Sequence, residues 1–471
     1  MKKENLISFF DSYADRWDQW KNRNRYYYKD IEKLLRFVIV PNSSVIEIGC
    51  GTGDFINAVQ PSYGVGIDFS SKMVDHAQKK YPHLKFFTMD AEDFSLDEIF
   101  DYVIMSDLVG HLNDIQKAFD AAQKIMKPHS RFVITYHNFM WEPVFWLASK
   151  LGLKVTVNPQ NWINSNDLQN LLELSGFEIV RTGQQLILPK NIPVLSWFVN
   201  KYFTQLPLFK HLSVTRYIIA RPKVVVPAEK KYSVSVIIPA RNEKGNIERA
   251  LQTVPSMGSH TEIIFVEGHS TDGTFEEIKR VVSENKRSDI SVKYSVQKGK
   301  GKGDAVREGF SLASGEILMI LDADLTVAPS ELPKFYNAIA SNHGEFINGS
   351  RMVYPMEKEA MRFLNMLGNK FFSMLFTWLL GQIFKDTLCG TKVLYKKDYE
   401  RIAANRHYFG EFDPFGDFDL IFGASKLQLK IAEIPIRYRE RTYGDTNISR
   451  FRHGLLLLRM SWFAMNKLKF R

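Results

Sequence analysis

The stretch SVIEIGCGTGDF, residues 44–55, sets four strand-like residues against a turn in which glycine recurs at 49, 51 and 53. It reads as a buried strand over 45–48 running into a loop that bends sharply and lets a ligand approach the backbone closely. A second strand, YGVGIDFS, follows and ends in Asp68. A carboxylate at that point can accept from both hydroxyls of a ribose. A third strand closes on FFTMDAEDF, and a fourth, FDYVIMSDLVGHLND, leads into a polar loop. A nicotinamide-binding turn of the form G-x-G-x-x-G needs glycine at position 54, where this chain has Asp, so the dinucleotide reading weakens.

The 471 residues leave room for two or three domains, each with its own core. A composition of 45% hydrophobic and 24% charged residues argues against extensive disorder. The net charge of +10 suits anionic partners: nucleic acid, phosphate-bearing substrates or an anionic membrane face. Cys50 and Cys389 lie far apart, each in a glycine-containing turn, which predicts a reducing compartment and no disulfide framework. Asp11 and Asp15 interrupt the N-terminal apolar stretch too early for a signal-peptide core, so a cytoplasmic protein is expected. Pro222, Pro227 and the polar run 228–231 separate two strand-like segments, which places a linker at 222–231 between domains over 1–221 and 232–471. On both sides short Val/Ile-rich runs alternate with helical patterns, the signature of α/β domains with parallel sheets covered by helices.

The ordered set E-x-G-x-G-x-G, Asp after strand two, Met-Asp-Ala after strand three and SDLVGHL after strand four resembles the class I S-adenosylmethionine-dependent methyltransferases, over roughly residues 5–221. The resemblance implies a Rossmann-like sheet in which Glu47, Gly49, Gly51 and Gly53 line the methionine side of S-adenosylmethionine, Asp68 the ribose, and Asp90 with Ala91 the adenine. Methyl transfer from a sulfonium is an in-line displacement that mostly requires positioning, with a general base when the acceptor is a hydroxyl. His111, after the fourth strand, is a candidate for that base or a histidine packed in a loop. Tyr13, Trp17 and RYYYKD near the N-terminus are expected to form a helical lid.

In the second half, SVSVIIPARNEKGNIERAL is a strand and a helix with Pro239 and Glu243 in the turn between them. EIIFVEGHSTDGT and the basic, glycine-rich QKGKGKGDAVREGF come next, followed by EILMILDADLTVAP. That last strand delivers Asp322 and Asp324 into a loop, one residue apart. Mg²⁺ or Mn²⁺ binds such carboxylates while gripping diphosphate oxygens. The KGKGKG run lacks the spacing of a P-loop and has no aromatic residues interleaved for base stacking, which disfavours nucleic acid.

Together these motifs resemble the family 2 glycosyltransferases of GT-A fold, particularly the branch of dolichol-phosphate mannose and glucose synthases, over about residues 233–450. By that resemblance Pro239, Arg241, Glu243 and Glu267 contact the base and ribose of a nucleotide sugar, with Asp304 and Arg307 nearby. Asp324 is the principal metal ligand, and Asp322 contacts metal, sugar or nucleotide. The family commonly has two acidic residues where this chain has Glu267-Gly268, which leaves the base preference open. Processive polysaccharide synthases of the family carry Q-x-x-R-W and several membrane helices, neither of which this half contains. Asp386, Asp417 and Asp419 are its acceptor-side carboxylates, with Asp386 and Asp419 the catalytic candidates, and Arg441, Gly444 and Asn447 match a late arginine-glycine-polar motif that binds the acceptor.

A phosphate monoester, with a second pKa of about 6, is already an anionic nucleophile, so transfer to polyprenyl phosphate needs cations more than a base. Residues 437–471 hold nine Lys or Arg and two acidic residues, in keeping with that need. A sugar or metabolite hydroxyl would instead require one of the aspartates as base. The N-terminal half could in that case be a module that only senses S-adenosylmethionine. The uncharged run 371–384 is shorter than the ~20 apolar residues of a membrane span. With 194–209 and the basic, aromatic 453–471, it predicts peripheral attachment at an anionic membrane surface.

Overall fold

The computed structural model describes residues 3–151, 161–223, 230–354, 363–406, 416–439, 441, 443 and 450–470. The chain divides into two compact units, residues 1–224 and 225–469, with Phe470 grouped with the first.

The first unit opens with two helices, α1 (Lys3–Arg23) and α2 (Arg25–Val38). Its seven strands are β1 (Ser44–Ile48), β2 (Tyr63–Asp68), β3 (Lys85–Thr88), β4 (Phe100–Ser106), β5 (Met126–His137), β6 (Phe177–Gln185) and β7 (Thr215–Pro222). They lie in the order β3-β2-β1-β4-β5-β7-β6. The β3-β2-β1-β4-β5 part is parallel, whereas β7 runs antiparallel to both β5 and β6. The all-parallel expectation therefore fails at one edge, where β7 inserts antiparallel between β5 and β6. Val45, Ile46 and Ile48 are fully buried because β1 is central and helices cover both faces of the sheet. The strand order switches between β1 and β4, and a crevice opens there at the carboxyl ends of the strands.

α1 is tied across that crevice by polar contacts repeated along one of its faces. Ser70 Oγ donates to Asp11 Oδ1 at 2.5 Å, and His76 Nε2 lies 2.9 Å from Asp15. Lys80 Nζ donates to Asp18 Oδ2 at 2.7 Å, and Lys21 pairs with Asp54. Asp11, Asp15 and Asp18 are spaced four and three apart, so they share a face of the helix.

The second unit holds β8 (Val234–Ala240), β9 (Thr261–Glu267), β10 (Ile290–Val296), β11 (Ile317–Ile320), β12 (Phe346–Ser350), β13 (Lys392–Tyr395) and β14 (Ile431–Pro435). Their order is β10-β9-β8-β11-β13-β12-β14, with β13 antiparallel to β11 and to β12. This sheet too is mixed, and its switch point lies between β8 and β11.

The uncharged run 371–384 lies mostly on helix Phe363–Leu380. Phe372, Phe376, Leu379, Leu380 and Phe384 are buried, and the Phe376 ring meets Phe418 and Phe422 of helix Asp417–Lys426 at 5.4 Å each. Phe371, Met374 and Ile383 face solvent. The run is thus a core helix with a second apolar face. Among the described residues no helix is long and apolar enough to cross a membrane.

Candidate active sites

In the first unit the crevice is a cavity of about 670 Å³. Glu47, Gly49, Gly51, Asp68, Asp90, Ala91 and His111 all line it, roofed by Phe10, Trp17, Tyr27 and Tyr28 of the two N-terminal helices. Gly53 does not: a Cβ there would meet Phe86 Cζ at 2.7 Å, so it serves packing at the start of helix Asp54–Ala58. Gly51, at φ +51°, has only Trp17 Nε1 within reach of a Cβ position, at 3.7 Å, which leaves its backbone open to a ligand. Tyr13 is stacked on Phe9 at 4.7 Å within the lid helix and is not among the lining residues.

Burial governs the charges here. It pushes the Glu47 carboxyl up to about 8, although Glu47 Oε2 accepts from Ile56 N at 3.0 Å. It pushes Asp68 up to about 6 against two backbone donors, Ser70 N and Gly51 N, each at 2.9 Å. Burial also draws Lys21 down to about 8. Asp90 is paired with Lys3 at the N-terminal end of α1. Carboxylates at the ends of β1 and β2 and beyond β3, on one cavity, form an acceptor set for a ribose diol and an ammonium group.

A second constellation borders the same cavity. Tyr27 Oη donates to Asp107 Oδ2 at 2.5 Å and lies 3.3 Å from His137 Nδ1, which is itself 3.5 Å from Asp107 Oδ1. Thr135 Oγ1 donates to Asp107 Oδ1 at 3.3 Å. Burial works against the Asp107 charge, but His137 and these donors hold its carboxyl below the usual range. Burial, with Asp107 beside it, pushes the Tyr27 hydroxyl well above its ordinary value, so it remains protonated. Sequence reasoning passed over Tyr27, Asp107 and His137 as a group. The available signal was that Asp107 and His137 stand at the carboxyl ends of adjacent strands, where α/β sites gather. His111 sits in the short turn Val109–His111, edge-on to Phe10 at 5.9 Å.

In the second unit the predicted residues converge at the carboxyl ends of β8, β9 and β11. Pro239 is on β8 and Arg241 is exposed just after it. Glu243 accepts from Asn246 Nδ2 at 2.7 Å and from Arg441 Nη1 at 3.3 Å. Glu267 Oε1 accepts from Ser270 N at 2.5 Å, within its own loop. Asp304 caps the basic loop through Gly299 N at 2.6 Å and lies 3.7 Å from Arg307.

Asp322 Oδ1 lies 2.5 Å from Lys302 Nζ, and Asp324 Oδ2 accepts from Arg441 Nη2 at 2.6 Å. Burial opposes the Asp322 charge, yet Lys302, Lys392 and Arg351 together hold its carboxyl below the usual range. Among the described residues no group of three or more His, Cys, Asp or Glu side chains gathers around one point. The pair nonetheless fits a hard cation whose other ligands are diphosphate oxygens, since such ions are held by one or two carboxylates plus the substrate.

Asp386 is fully buried and saturated. It takes Arg351 Nε and Nη2 at 2.7 and 2.8 Å, Arg351 N at 3.0 Å, and Asn369 Nδ2 and Leu388 N at 3.1 Å. Burial notwithstanding, Arg351 holds its carboxyl below the usual range. This is the geometry of a residue that fixes an arginine, and it leaves no lone pair placed to take a proton. Asp419 pairs with Arg406 Nε at 2.8 Å. The side chain of Asp417, and Gly444 and Asn447 altogether, lie outside the described residues.

Comparison with known proteins agrees with these two halves. Residues 19–182 match the family model described as a methyltransferase domain, and residues 235–401 that of glycosyl transferase family 2. The chain therefore joins a methyltransferase domain to a family 2 glycosyltransferase domain. It is 31% identical over 225 residues to a dolichol-phosphate mannosyltransferase of Pyrococcus furiosus, a match covering 46% of this chain and 59% of that protein. It is 25% identical over 228 residues to an undecaprenyl-phosphate 4-deoxy-4-formamido-L-arabinose transferase of Yersinia enterocolitica, covering 47% and 64%. A solved S-adenosylmethionine-dependent methyltransferase of Thermotoga maritima aligns at 20% identity and a TM-score of 0.37, over 46% of this chain and all of the other.

Proposed function

We propose that the chain is a bifunctional enzyme. Its second domain transfers a sugar from a nucleotide diphosphate donor to polyprenyl phosphate, with Mg²⁺ or Mn²⁺ held by Asp322 and Asp324. Its first domain transfers a methyl group from S-adenosylmethionine. What carries the glycosyl reading is the pair of carboxylates one residue apart at the end of β11, with Lys302 and Arg441 in direct contact with them. An anionic acceptor and an anionic donor both need such cations. The relatives, a dolichol-phosphate mannosyltransferase and an undecaprenyl-phosphate 4-deoxy-4-formamido-L-arabinose transferase, support the same acceptor class.

Pro239, Arg241, Glu243 and Glu267 are assigned to the nucleoside, Asp304 and Arg307 to its surroundings, and Arg441, Gly444 and Asn447 to the acceptor side. The engagement of Asp386 by Arg351 disfavours Asp386 as the base that the hydroxyl-acceptor reading requires. In the first domain Glu47, Gly49, Gly51, Asp68, Asp90 and Ala91 are assigned to S-adenosylmethionine. The enzyme is assigned to the cytoplasmic face of a membrane as a peripheral protein, because exposed Trp197, Leu208 and Trp462 accompany a basic chain. The test is to incubate the protein with metal, polyprenyl phosphate and labelled UDP- and GDP-sugars, beside an Asp324→Ala control. Label entering the organic phase with one donor, and absent from the control, supports the reading. Release of nucleotide only with a soluble hydroxyl acceptor overturns it.

A further inference from the structure

We infer that His137 is the general base of methyl transfer, that Asp107 and Tyr27 are its positioning residues, and that the methyl acceptor is a hydroxyl. The inference rests on the methyltransferase reading of the first domain and adds to it the acceptor class and the group that takes the proton.

The hydrogen-bond bookkeeping fixes the direction of each proton. Tyr27 has one O–H, and at 2.5 Å it goes to Asp107 Oδ2. The Tyr27 oxygen is then an acceptor toward His137 Nδ1 at 3.3 Å, as is Asp107 Oδ1 at 3.5 Å. Both acceptors facing Nδ1 require a proton on that nitrogen, so the lone pair of the neutral ring lies on Nε2. The ring is clamped between Tyr27, at 5.8 Å, and Phe145, at 5.1 Å, and it borders the cavity that holds Glu47 and Asp68. Asp107 is itself held in left-handed backbone at φ +54°, with its N–H bonded to Thr135 O at 2.9 Å. Three strand or helix elements, α2, the end of β4 and β5, thus converge to fix one imidazole. A base and its orienting carboxylate in this order are the parts that activate a hydroxyl.

The hydroxyl oxygen attacks the sulfonium methyl, an O–CH₃ bond forms as the S–CH₃ bond breaks, and the electron pair of that bond remains on sulfur. The hydroxyl proton passes to His137 Nε2, and the imidazolium is stabilised by Asp107. A carboxylate acceptor arrives already anionic and would leave this apparatus without a task, whereas an alcohol must give up its proton as it attacks.

The experiment uses the full-length protein with methyl-labelled S-adenosylmethionine and a panel of probe acceptors: monosaccharides, a catechol and benzyl alcohol, with alkylamines and alkylthiols as the contrasting arm. Label is expected in at least one hydroxyl probe. His137→Gly should lower that transfer by about 10²–10⁴-fold, leave S-adenosylhomocysteine affinity within about threefold by calorimetry, and regain rate with added imidazole. Asp107→Asn should shift the His137 ¹⁵N resonances away from an Nδ1-protonated ring. Label confined to amines or thiols overturns the hydroxyl acceptor, and His137→Gly transfer within threefold of the parent overturns the base, each while sparing the methyltransferase. Tight S-adenosylhomocysteine binding with no label in any arm overturns the methyltransferase reading itself.

Discussion

The guanidinium of Arg441 bridges two carboxylates 117 and 198 residues upstream of it: Nη2 lies 2.6 Å from Asp324 Oδ2 and Nη1 3.3 Å from Glu243 Oε1. A cation entering beside Asp324 competes with that arginine for the same oxygen. A charge-assisted hydrogen bond contributes about 1.5–3 kcal/mol. Arg441→Ala should therefore tighten nucleotide-free Mn²⁺ binding by about tenfold while reducing sugar transfer, because the anionic substrates lose a cation. Manganese EPR titration beside the organic-phase assay checks both halves. Asp324→Ala should abolish saturable Mn²⁺ binding.

Gly390 stands against the other carboxylate. A Cβ on it would lie 2.0 Å from Asp322 Oδ2 and 2.5 Å from Lys302 Nζ. Gly390→Ala must push the Asp322–Lys302 pair aside, and it is expected to cut sugar transfer by at least tenfold with little change in thermal stability. Stability lost in step with activity would show that the turn supports the core instead.

The contrast between these sites shows what the sequence could reveal. The strand-and-glycine turn at 44–55 and the paired aspartates at 322 and 324 are local patterns, and each sits at the carboxyl end of a central strand. The acceptor side was less legible, because Asp386 looks like a catalytic carboxylate in one dimension and is enclosed by Arg351, Asn369 and Leu388 in three. The Tyr27–Asp107–His137 cluster joins residues 80 and 110 positions apart. Only the pairing of β4 with β5 and the return of α2 over the sheet bring them together. The antiparallel position of β7 between β5 and β6 likewise follows from the path of the chain, which hydrophobic alternation does not encode.

Asp386 offers a direct discrimination between scaffold and base. Removing one partner of a buried ion pair costs about 3–5 kcal/mol. Asp386→Asn should destabilise the second domain by an amount of that order, seen as a lower unfolding midpoint, with transfer lost in proportion to the unfolded fraction. A variant that stays as stable as its parent yet transfers no sugar would restore Asp386 as a base.

The first domain should lose stability as pH rises from about 4 to about 8. Glu47 titrates at about 8 and Asp68 at about 6 when folded, because burial disfavours their charged forms. Free carboxyls titrate near 4. Between those limits the folded domain binds more protons than the unfolded chain, so stability falls as pH rises, from about 4 to 6 through Asp68 and on to about 8 through Glu47. Calorimetry of the full chain should show the transition that shifts with S-adenosylhomocysteine moving down between about pH 5 and pH 8.5. Glu47→Gln should flatten that slope, and a slope unchanged in this variant would assign it to other groups.

Membrane attachment is testable at a defined patch of the first domain. Trp197 is 54% and Leu208 86% exposed, and Lys201 Nζ lies 5.2 Å from the Trp197 ring. Trp146 is exposed as well, with Lys150 Nζ 3.7 Å from its ring. Exposed Trp and Leu beside lysine suit the interface of an anionic bilayer, the rings at headgroup level and the ammonium groups toward phosphate. Flotation with vesicles of about 30% anionic lipid should recover the protein at low salt and much less of it as salt is raised. Burying a large apolar side chain is worth about 1.5–3 kcal/mol, so Trp197→Glu with Leu208→Glu should weaken vesicle binding by at least tenfold. Equal flotation of this double variant and the parent would remove the patch from any role in attachment.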